Sequence, residues 1–294
     1  MVGSEQRSGQ PGMADKTQQA INERARKAAE TVVERLDLDV DEIEFLASKG
    51  NVLFLLHPLE IVARVSGQAA RLTSHVEART REFEVARYLA STNAPVAPPS
   101  NAVEPRPHTE NGLVVTFWDY VEDSDIENFE AKAISALQDC HKRLAGYDGD
   151  LPFLQGYEDG KRLFLILWRD NALSSGKAGN IVQRIAALDK EIAEVKGGDS
   201  ALIVPLHGDA HPGNTLCTPD GEVLWNDWED TCCGPIEWDY ACLVVDFREN
   251  PQHRPALGLL ETAMAETVDP DRLDLMIRAR ELQLDMWDET AEAL

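Results

Sequence analysis

The chain has 294 residues and a formal net charge of −24, from 28 basic and 52 acidic residues, which is enough length for one large domain or two lobes. Nucleic acids and anionic membranes bind clustered positive charge, so this composition argues against either as a partner. An acidic surface commonly serves solubility, and it also leaves a small cationic molecule open as a ligand. The sequence carries no signal for an oligomeric state.

The cysteines and the N-terminal segment indicate a cytoplasmic protein. Five cysteines, an odd number without metal-finger spacing, are typical of reduced thiols. No apolar run reaches the ~18 residues of a membrane helix, and residues 1–12 lack the apolar core of a signal peptide. We expect residues 1–13 to form a disordered extension, with Met13 as a candidate natural start.

The first part of the chain predicts a helix and then a small β-rich lobe, over residues 14–118. Apolar residues at helical spacing predict an amphipathic helix over 14–36. The lobe is expected to be an antiparallel five-stranded sheet with one inserted helix. Its strands are predicted at 43–48, 52–56, 61–65, Val103 and 113–118, with a helix at 76–91 and a turn at 108–112.

The second part predicts a larger, mainly helical lobe. An acidic segment, residues 119–127, is expected to be the crossover between the lobes, and residues 128–294 form the larger lobe. Helices are predicted at 128–146, 158–170, 180–197, 255–267 and 270–292, and strands at 202–206, 214–218 and 222–226. The expected fold class is therefore α+β, a small antiparallel sheet lobe plus a mainly helical lobe.

Residues 207–214 and Asp227 combine the side chains that phosphoryl transfer requires. Asp209 precedes Asn214 by five positions, the spacing of the catalytic Asp and the metal-binding Asn in protein kinases. Asp209 can accept a proton from a substrate hydroxyl, while Asn214 and Asp227 can offer oxygen ligands to Mg²⁺. A polar loop that caps helices would explain any one of these residues, but not all three at these intervals.

The histidines of this segment admit a second interpretation. His207 and His211 are four residues apart, as in a helical zinc motif. Pro212 and Gly213 make a helix implausible here, however, and a third ligand is lacking. We expect His207 to support the loop through hydrogen bonds.

Three motifs together resemble the aminoglycoside phosphotransferase family, which is similar to choline kinases and other small-molecule kinases with a protein-kinase-like fold. The motifs are HGDAHPGN at 207–214, DWED at 227–230 and GPIEWDYA at 234–241. The resemblance runs from about residue 40 to the C-terminus and is strongest over 202–243. It implies a bilobal fold, ATP as co-substrate, Mg²⁺ as cofactor and a hydroxyl group as acceptor.

The resemblance also implies roles for residues of the larger lobe. Asp209 takes the position of the catalytic aspartate, and Asn214 and Asp227 take those of the magnesium ligands. Asp239 matches an architectural aspartate that braces the catalytic loop.

In the small lobe the resemblance concerns the nucleotide. Arg64 falls where the family has a phosphate-contacting basic residue, and it stands where protein kinases have Lys. Glu82 matches the helix glutamate that pairs with that basic residue. Glu84 is the weaker candidate because it points to another helix face. Either glutamate could instead be a solvated charge.

The remaining nucleotide contacts are expected from the backbone. The turn that contains Ser48, Gly50 and Asn51 could cover the phosphates with amide groups, although it lacks the G-x-G-x-x-G motif of protein kinases and an ordinary hairpin turn fits as well. Adenine is expected to meet backbone groups around Asp119 and Val121.

The acceptor is predicted to be a small, cationic molecule: an aminoglycoside, an amino sugar or an amino alcohol, in antibiotic resistance or in metabolism. An acidic pocket made by C-terminal helices would bind its ammonium groups. Two alternatives are a nucleotide-binding scaffold without turnover and a protein kinase, but the latter should show Asp-Phe-Gly and Ala-Pro-Glu motifs. Candidate pocket residues, each of which could also be a solvated charge, are Glu229, Asp230, Glu261, Asp285 and Asp288.

Overall fold

The computed structural model describes residues 13–66, 75–173 and 176–291. Residues 1–12 of the extension predicted over 1–13 therefore lie outside the described part, whereas Met13 is the first residue of a helix. Contacts divide the chain into two units. The first consists of Met1–Val76 and Ser100–Tyr120, and the second of Glu77–Pro99 and Val121–Leu294. The segment 77–99 thus groups with the second unit, whereas the sequence predicts a small lobe that includes it.

The first unit is a helix on an antiparallel sheet. Helix α1 (Met13–Arg35) presents small side chains, among them Ala28, Ala29 and Val32, to the sheet, where they are buried with Phe54 and Val115. The strands are β1 (Glu42–Lys49), β2 (Asn51–His57), β3 (Ile61–Ser66), β4 (His108–Glu110) and β5 (Leu113–Asp119), in the sheet order β1-β2-β3-β5-β4. The predicted inserted helix follows β3 in sequence and groups with the second unit.

One strand of this sheet differs from its prediction. Val103 is buried in the core of the first unit but lies in no strand, and His108–Glu110, which the sequence predicts as a turn, is β4. The actual turn is only Asn111 and Gly112, with φ of 48° and 75°. Positive φ at both central residues is the two-residue hairpin turn that Asn-Gly favours, and this short signal locates the strand better than the apolar pattern does.

The second unit is mainly helical. Its helices are α2 (His75–Ser91), α3 (Phe129–Leu144), α4 (Gln155–Arg169), α5 (Ala178–Lys196), α6 (Glu237–Glu249), α7 (Leu257–Met264) and α8 (Pro270–Ala291). Its strands are β6 (Val204–Leu206), β7 (Thr215–Cys217), β8 (Val223–Trp225) and β9 (Cys232–Gly234). Helix α8 packs against α4, α5 and α6, and the strands form two short antiparallel pairs, β6 with β9 and β7 with β8. The predicted α+β class is confirmed.

Helix α6 and strand β9 are absent from the predicted elements. Nearly every residue of α6 is buried, so the helix has no polar face and no apolar stripe that periodicity could reveal. Strand β9 has only three residues. The five cysteines are free thiols, as predicted. Within the described ranges, no helix has both the length and the apolar character to cross a membrane.

Candidate active site

The catalytic loop, residues 207–214, is mounted between two short strands of the second unit. It begins directly after β6 and ends where β7 begins. The backbone N–H of Asn226, which follows β8, donates to the carbonyl oxygen of Asn214 over 2.8 Å. This bond brings the end of the loop beside Asp227, so two of the predicted metal ligands belong to adjoining segments.

The carboxylate of Asp209 has three polar neighbours in this unit. Its Oδ1 accepts from Nη2 of Arg280 at 2.6 Å. Its Oδ2 accepts from Nδ2 of Asn214 at 3.2 Å and lies 3.3 Å from Nε2 of His211. The side chain is 25% exposed, so an acceptor molecule can still reach it.

These neighbours keep Asp209 charged. Burial alone would raise the pKa of its carboxyl group, but the Arg280 guanidinium and the His211 ring outweigh burial and lower that pKa well below its ordinary value. In return, Asp209 raises the pKa of His211 although burial opposes this. An ionised carboxylate at the surface of a cleft can accept a hydrogen bond, and then a proton, from a hydroxyl group.

Asn214 and Asp227 offer oxygen atoms to a cation. The Asn214 amide nitrogen donates to the backbone oxygen and the carboxylate of Asp209, which leaves its Oδ1 as the atom for a metal. Asp227 has a left-handed backbone with φ of 60° and lies two residues after the end of β8. One neutral and one charged oxygen fit Mg²⁺, which keeps several waters and binds phosphate oxygens as well. The described residues contain no group of three His, Cys, Asp or Glu side chains that could hold a metal.

His207 is buried, and its ring nitrogens are engaged by the backbone. Nε2 lies 2.9 Å from the carbonyl oxygen of Asn226, and Nδ1 is 3.3 Å from the backbone N–H of Asp209. Nε2 must therefore donate and Nδ1 must accept, which is a neutral ring, and burial lowers the pKa of His207 accordingly. Both nitrogens are occupied, so the zinc interpretation fails.

Asp239, in the first turn of α6, is fully buried behind the loop. It accepts hydrogen bonds from the backbone N–H groups of His207 and Gly208, at 2.8 and 2.9 Å. A third bond, of 2.7 Å, joins it to Nε2 of His141 on α3. Burial raises the pKa of this carboxyl group, but His141 and the amides prevail and lower it. The loop backbone is thus tied to α6 and α3.

Gly208 is required by two constraints at once. Its φ is 91°, and a Cβ atom at this position would overlap the backbone carbonyl of Asp230. Its own carbonyl oxygen accepts from Nε1 of buried Trp238 at 2.7 Å. The loop therefore passes closer to the segment after Asp227 than any larger residue would permit.

The sequence-based candidates do not include Arg280 or His141. Arg280 lies on α8 among buried Met276, Ala279, Gln283 and other core residues, and it is itself only 7% exposed. A signal was present in the pattern, because Arg280 is a basic residue at a helix position whose neighbours three and four residues away are buried. A charged side chain at such a buried position must be paired, and Arg280 forms its ion pair with Asp209.

Two of the predicted pocket carboxylates are engaged elsewhere in the second unit. Glu229 forms an ion pair with Arg79 of α2, which also donates to the buried Glu82 over 2.9 Å. Asp285 forms an ion pair with Arg184 of α5. These contacts place both predicted acceptor-binding residues in salt bridges that join helices or loops.

The other three differ from one another. Asp230 lies near the catalytic loop; its pKa is raised, by burial first and then by the nearby negative charges of Glu229 and Asp209. Asp288 and Glu261 are exposed on helices α8 and α7. Of the predicted set, Asp230 is therefore the member near Asp209.

An acidic groove adjoins the catalytic loop within the second unit. It has a volume of about 870 Å³, and His211, Pro212 and Gly213 of the loop line it. Four carboxylates also line the groove: those of Asp123, Asp125, Glu130 and Asp246. None of the predicted pocket residues lines it. Burial raises the pKa of Asp246, whose Oδ2 has no hydrogen-bond partner among the described residues. The carboxylates of this groove suit a positively charged ligand.

The predicted nucleotide residues of the first unit lie on its sheet. Ser48 lies near the end of β1 and Asn51 begins β2, with Gly50 at the turn between them, where its φ is 74°. Ser48 Oγ accepts from Gln18 over 2.8 Å. Arg64 is buried on β3 opposite Thr116 of β5.

Asp119 and Val121 are the positions at which adenine is expected to meet the backbone. Asp119 is the last residue of β5 and pairs with Ile61, and Val121 is the first residue of the second segment of the second unit.

Solved structures of several small-molecule kinases are similar to this chain. Amicoumacin kinase hAmiN, solved with AMP-PNP, Ca²⁺ and Ami, matches with a TM-score of 0.70 and 13% identity over 91% of this chain and 88% of that one. Choline kinase LicA from Streptococcus pneumoniae matches with 0.63 and 15%, over 90% of each chain. Aminoglycoside phosphotransferase APH(3'')-Id from Streptomyces rimosus matches with 0.60 and 16%, over 87% and 97%. The predicted kinase-like fold is thereby confirmed.

The family assignment comes from the sequence. A comparison with curated proteins finds no match. The sequence profile of the phosphotransferase enzyme family (APH), however, matches residues 53–275, which include the catalytic loop, Asp227 and Asp239. The chain therefore belongs to the phosphotransferase enzyme family, and it is a small-molecule phosphotransferase with a hydroxyl group as acceptor.

Proposed function

We propose that this enzyme transfers the γ-phosphoryl group of ATP to a hydroxyl of a small cationic molecule, with Asp209 as the base. The observation that carries the proposal is the Asp209 carboxylate, which is ionised, a quarter exposed, and set in a loop that lines an acidic groove. A base at the edge of a cation-binding groove can address a hydroxyl of the bound molecule.

The chemistry follows from these positions. The acceptor O–H bond breaks as its proton passes to Asp209, and the acceptor oxygen forms a bond to the γ-phosphorus of ATP. The bond between that phosphorus and the β,γ-bridging oxygen breaks, and ADP leaves. Asn214 donates to the carboxylate of Asp209, which limits the reorganisation of this side chain at that moment.

Asn214 and Asp227 would hold Mg²⁺ through one amide oxygen and one carboxylate oxygen. When bound, the metal neutralises charge on the phosphate oxygens. Asp239 and His207 keep the loop in shape through the bonds described above, because these bonds fix the backbone on both sides of Gly208.

The nucleotide is proposed to bind to the residues expected from the family resemblance. Arg64 would contact phosphate. Within its own unit, Glu82 accepts from Nη1 of Arg79 over 2.9 Å. Backbone groups would supply the remaining contacts, since neither adenine nor the phosphates require particular side chains there. The positions are Ser48, Gly50, Asn51, Asp119 and Val121.

The acidic groove supports a cationic acceptor. Glu130 lies 3.1 Å from His253, and Asp123 accepts from the backbone of Cys217 at 2.8 Å, so their carboxylates are anchored at the wall. Solved structures of similar fold include one with ADP and streptomycin and one of a choline kinase, which supports an amine-bearing acceptor here.

A substrate screen tests this function. The enzyme is incubated with ATP, Mg²⁺ and single members of a panel of aminoglycosides, amino sugars and amino alcohols, including streptomycin and choline. We expect a member of the panel to stimulate ADP release, and chelation of the metal to stop it. Nucleotide binding without ADP release under any of these conditions would instead indicate a scaffold without turnover.

A further inference from the structure

Arg280 makes a contact for which the catalytic chemistry described so far has no specific role. It lies on α8, it is 7% exposed, and its guanidinium group connects two side chains. Nη1 donates to Oε1 of Gln283 over 2.8 Å, and Nη2 donates to Oδ1 of Asp209 over 2.6 Å. A buried charge is costly unless it is paired, so this position is specialised for the pairing.

The geometry of Asp209 shows what the pairing leaves open. An ionised carboxylate can accept about four hydrogen bonds, two on each oxygen. Oδ2 faces Asn214 and His211, at 3.2 and 3.3 Å, whereas Oδ1 faces Arg280. The remaining acceptor position therefore belongs to Oδ1, the oxygen that Arg280 holds.

We propose that Arg280 is a positioning residue for phosphoryl transfer, which fixes Oδ1 of Asp209 as the atom that receives the acceptor proton. This inference rests on the proposed function of Asp209. It adds that the C-terminal helix α8 takes part in the chemistry through its charge.

The fork of the guanidinium group matters for this role. Its two Nη atoms donate to Gln283 and to Asp209, so Gln283 orients the group that orients the base. A lysine ammonium keeps the charge but has no fixed pair of donors, and it cannot reproduce both bonds. Replacing the guanidinium group should therefore lower turnover even when the positive charge is retained.

The same helix offers a matched control. Arg278 pairs with Glu191 at 2.8 Å and with Asp274 at 3.0 Å, and its side chain is 42% exposed. Both arginines are on α8 and both form ion pairs, but only Arg280 contacts the base. Arg278→Gln thus removes an ion pair of α8 without touching the catalytic loop.

The test measures ADP formation from Mg–ATP with water as the acceptor, because this probe needs no identified alcohol. In Arg280→Gln we expect kcat to fall about 10- to 100-fold, the cost of a mispositioned reacting group, while KM for ATP is unchanged. Arg280→Lys should lose about tenfold, and Arg278→Gln should match the wild type. If Arg280→Gln does not fold, Arg280→Lys carries the test, and wild-type turnover in that variant contradicts the proposal.

A double-mutant cycle separates this inference from the function on which it rests. If Arg280 acts through Asp209, Arg280→Gln should have no further effect on kcat in an Asp209→Asn background. Full additivity would overturn the inference. Wild-type turnover in Asp209→Asn alone would mean that the proposed base is wrong, whereas an inactive Asp209→Asn beside a fully active Arg280→Gln would remove only the role of Arg280.

Discussion

The catalytic loop and the acidic groove lie side by side, yet they are built in opposite ways. In the loop, each important side chain or amide is bonded to a buried partner: Asp209 to Arg280, and His207 and Gly208 to Asp239. In the groove, Asp123 and Asp125 are exposed and come from a segment without regular secondary structure. The loop is therefore held by buried bonds, whereas Asp125 of the groove is exposed and can be replaced at little cost to the fold.

This difference tells where substitutions should affect chemistry and where they should affect selection of the acceptor. Breaking a buried hydrogen bond or ion pair lowers the free energy of unfolding because the remaining partner stays unpaired. Replacing an exposed carboxylate changes it little because water solvates the groups around it. The following substitutions test the contrast in order of expected effect.

Replacing Asp209 by Asn should have the largest effect. The amide keeps the size of the side chain but cannot accept the acceptor proton, so kcat should fall about 10²–10⁴-fold. ATP binding, measured by calorimetry, should persist. A kcat within a factor of two of wild type would remove Asp209 as the base.

Gly208→Ala should unfold or displace the loop. The added Cβ would overlap the carbonyl of Asp230 in a backbone with φ of 91°, so we expect a loss of more than about 3 kcal/mol in the free energy of unfolding. Gly179→Ala, in α5 with open space around it, is the control and should stabilise by up to about 1 kcal/mol. Equal unfolding midpoints for the two variants would contradict the close approach at Gly208.

Asp239→Asn should destabilise the protein in a pH-dependent way. The folded pKa of Asp239 is lowered, so its contribution is fully present above its unfolded pKa of about 3.9 and is lost as the pH falls below that value. We expect a deficit of about 2–3 kcal/mol at neutral pH, measured by urea unfolding, which narrows below about pH 4. A deficit that widens towards acid would reverse the assigned charge state.

Asp246→Asn should have the smallest effect and a different signature. Removal of one groove carboxylate should raise KM for a cationic acceptor about tenfold and leave kcat unchanged. Asp288→Asn, an exposed carboxylate on α8 that does not line the groove, is the matched control. A fall in kcat with constant KM in Asp246→Asn would place that residue in the chemistry instead.

The sequence is most informative where chemistry demands fixed spacing. Asp209, Asn214 and Asp227 could be proposed because phosphoryl transfer needs a base and metal ligands at fixed intervals along one segment. Most strands of the sheet could be predicted because they are short runs bounded by turn residues. Helix α6 was not predicted because nearly all of its residues are buried, which leaves no amphipathic pattern in the sequence. The pairing of Arg280 could not be predicted because Asp209 is 71 positions away, so the pattern of α8 shows a buried charge but not its partner. Asp246 was not predicted because the other residues that line the groove are distant from it in sequence.

The most direct test of the account is to identify the product. Wild-type enzyme is incubated with Mg–ATP and the acceptor that most stimulates ADP release, and the mixture is examined by mass spectrometry and ³¹P NMR. The account predicts an acceptor that has gained one phosphoryl group on a hydroxyl oxygen, formed in equal amount to ADP and absent with Asp209→Asn. ADP accompanied only by inorganic phosphate, with every acceptor unmodified, would contradict it.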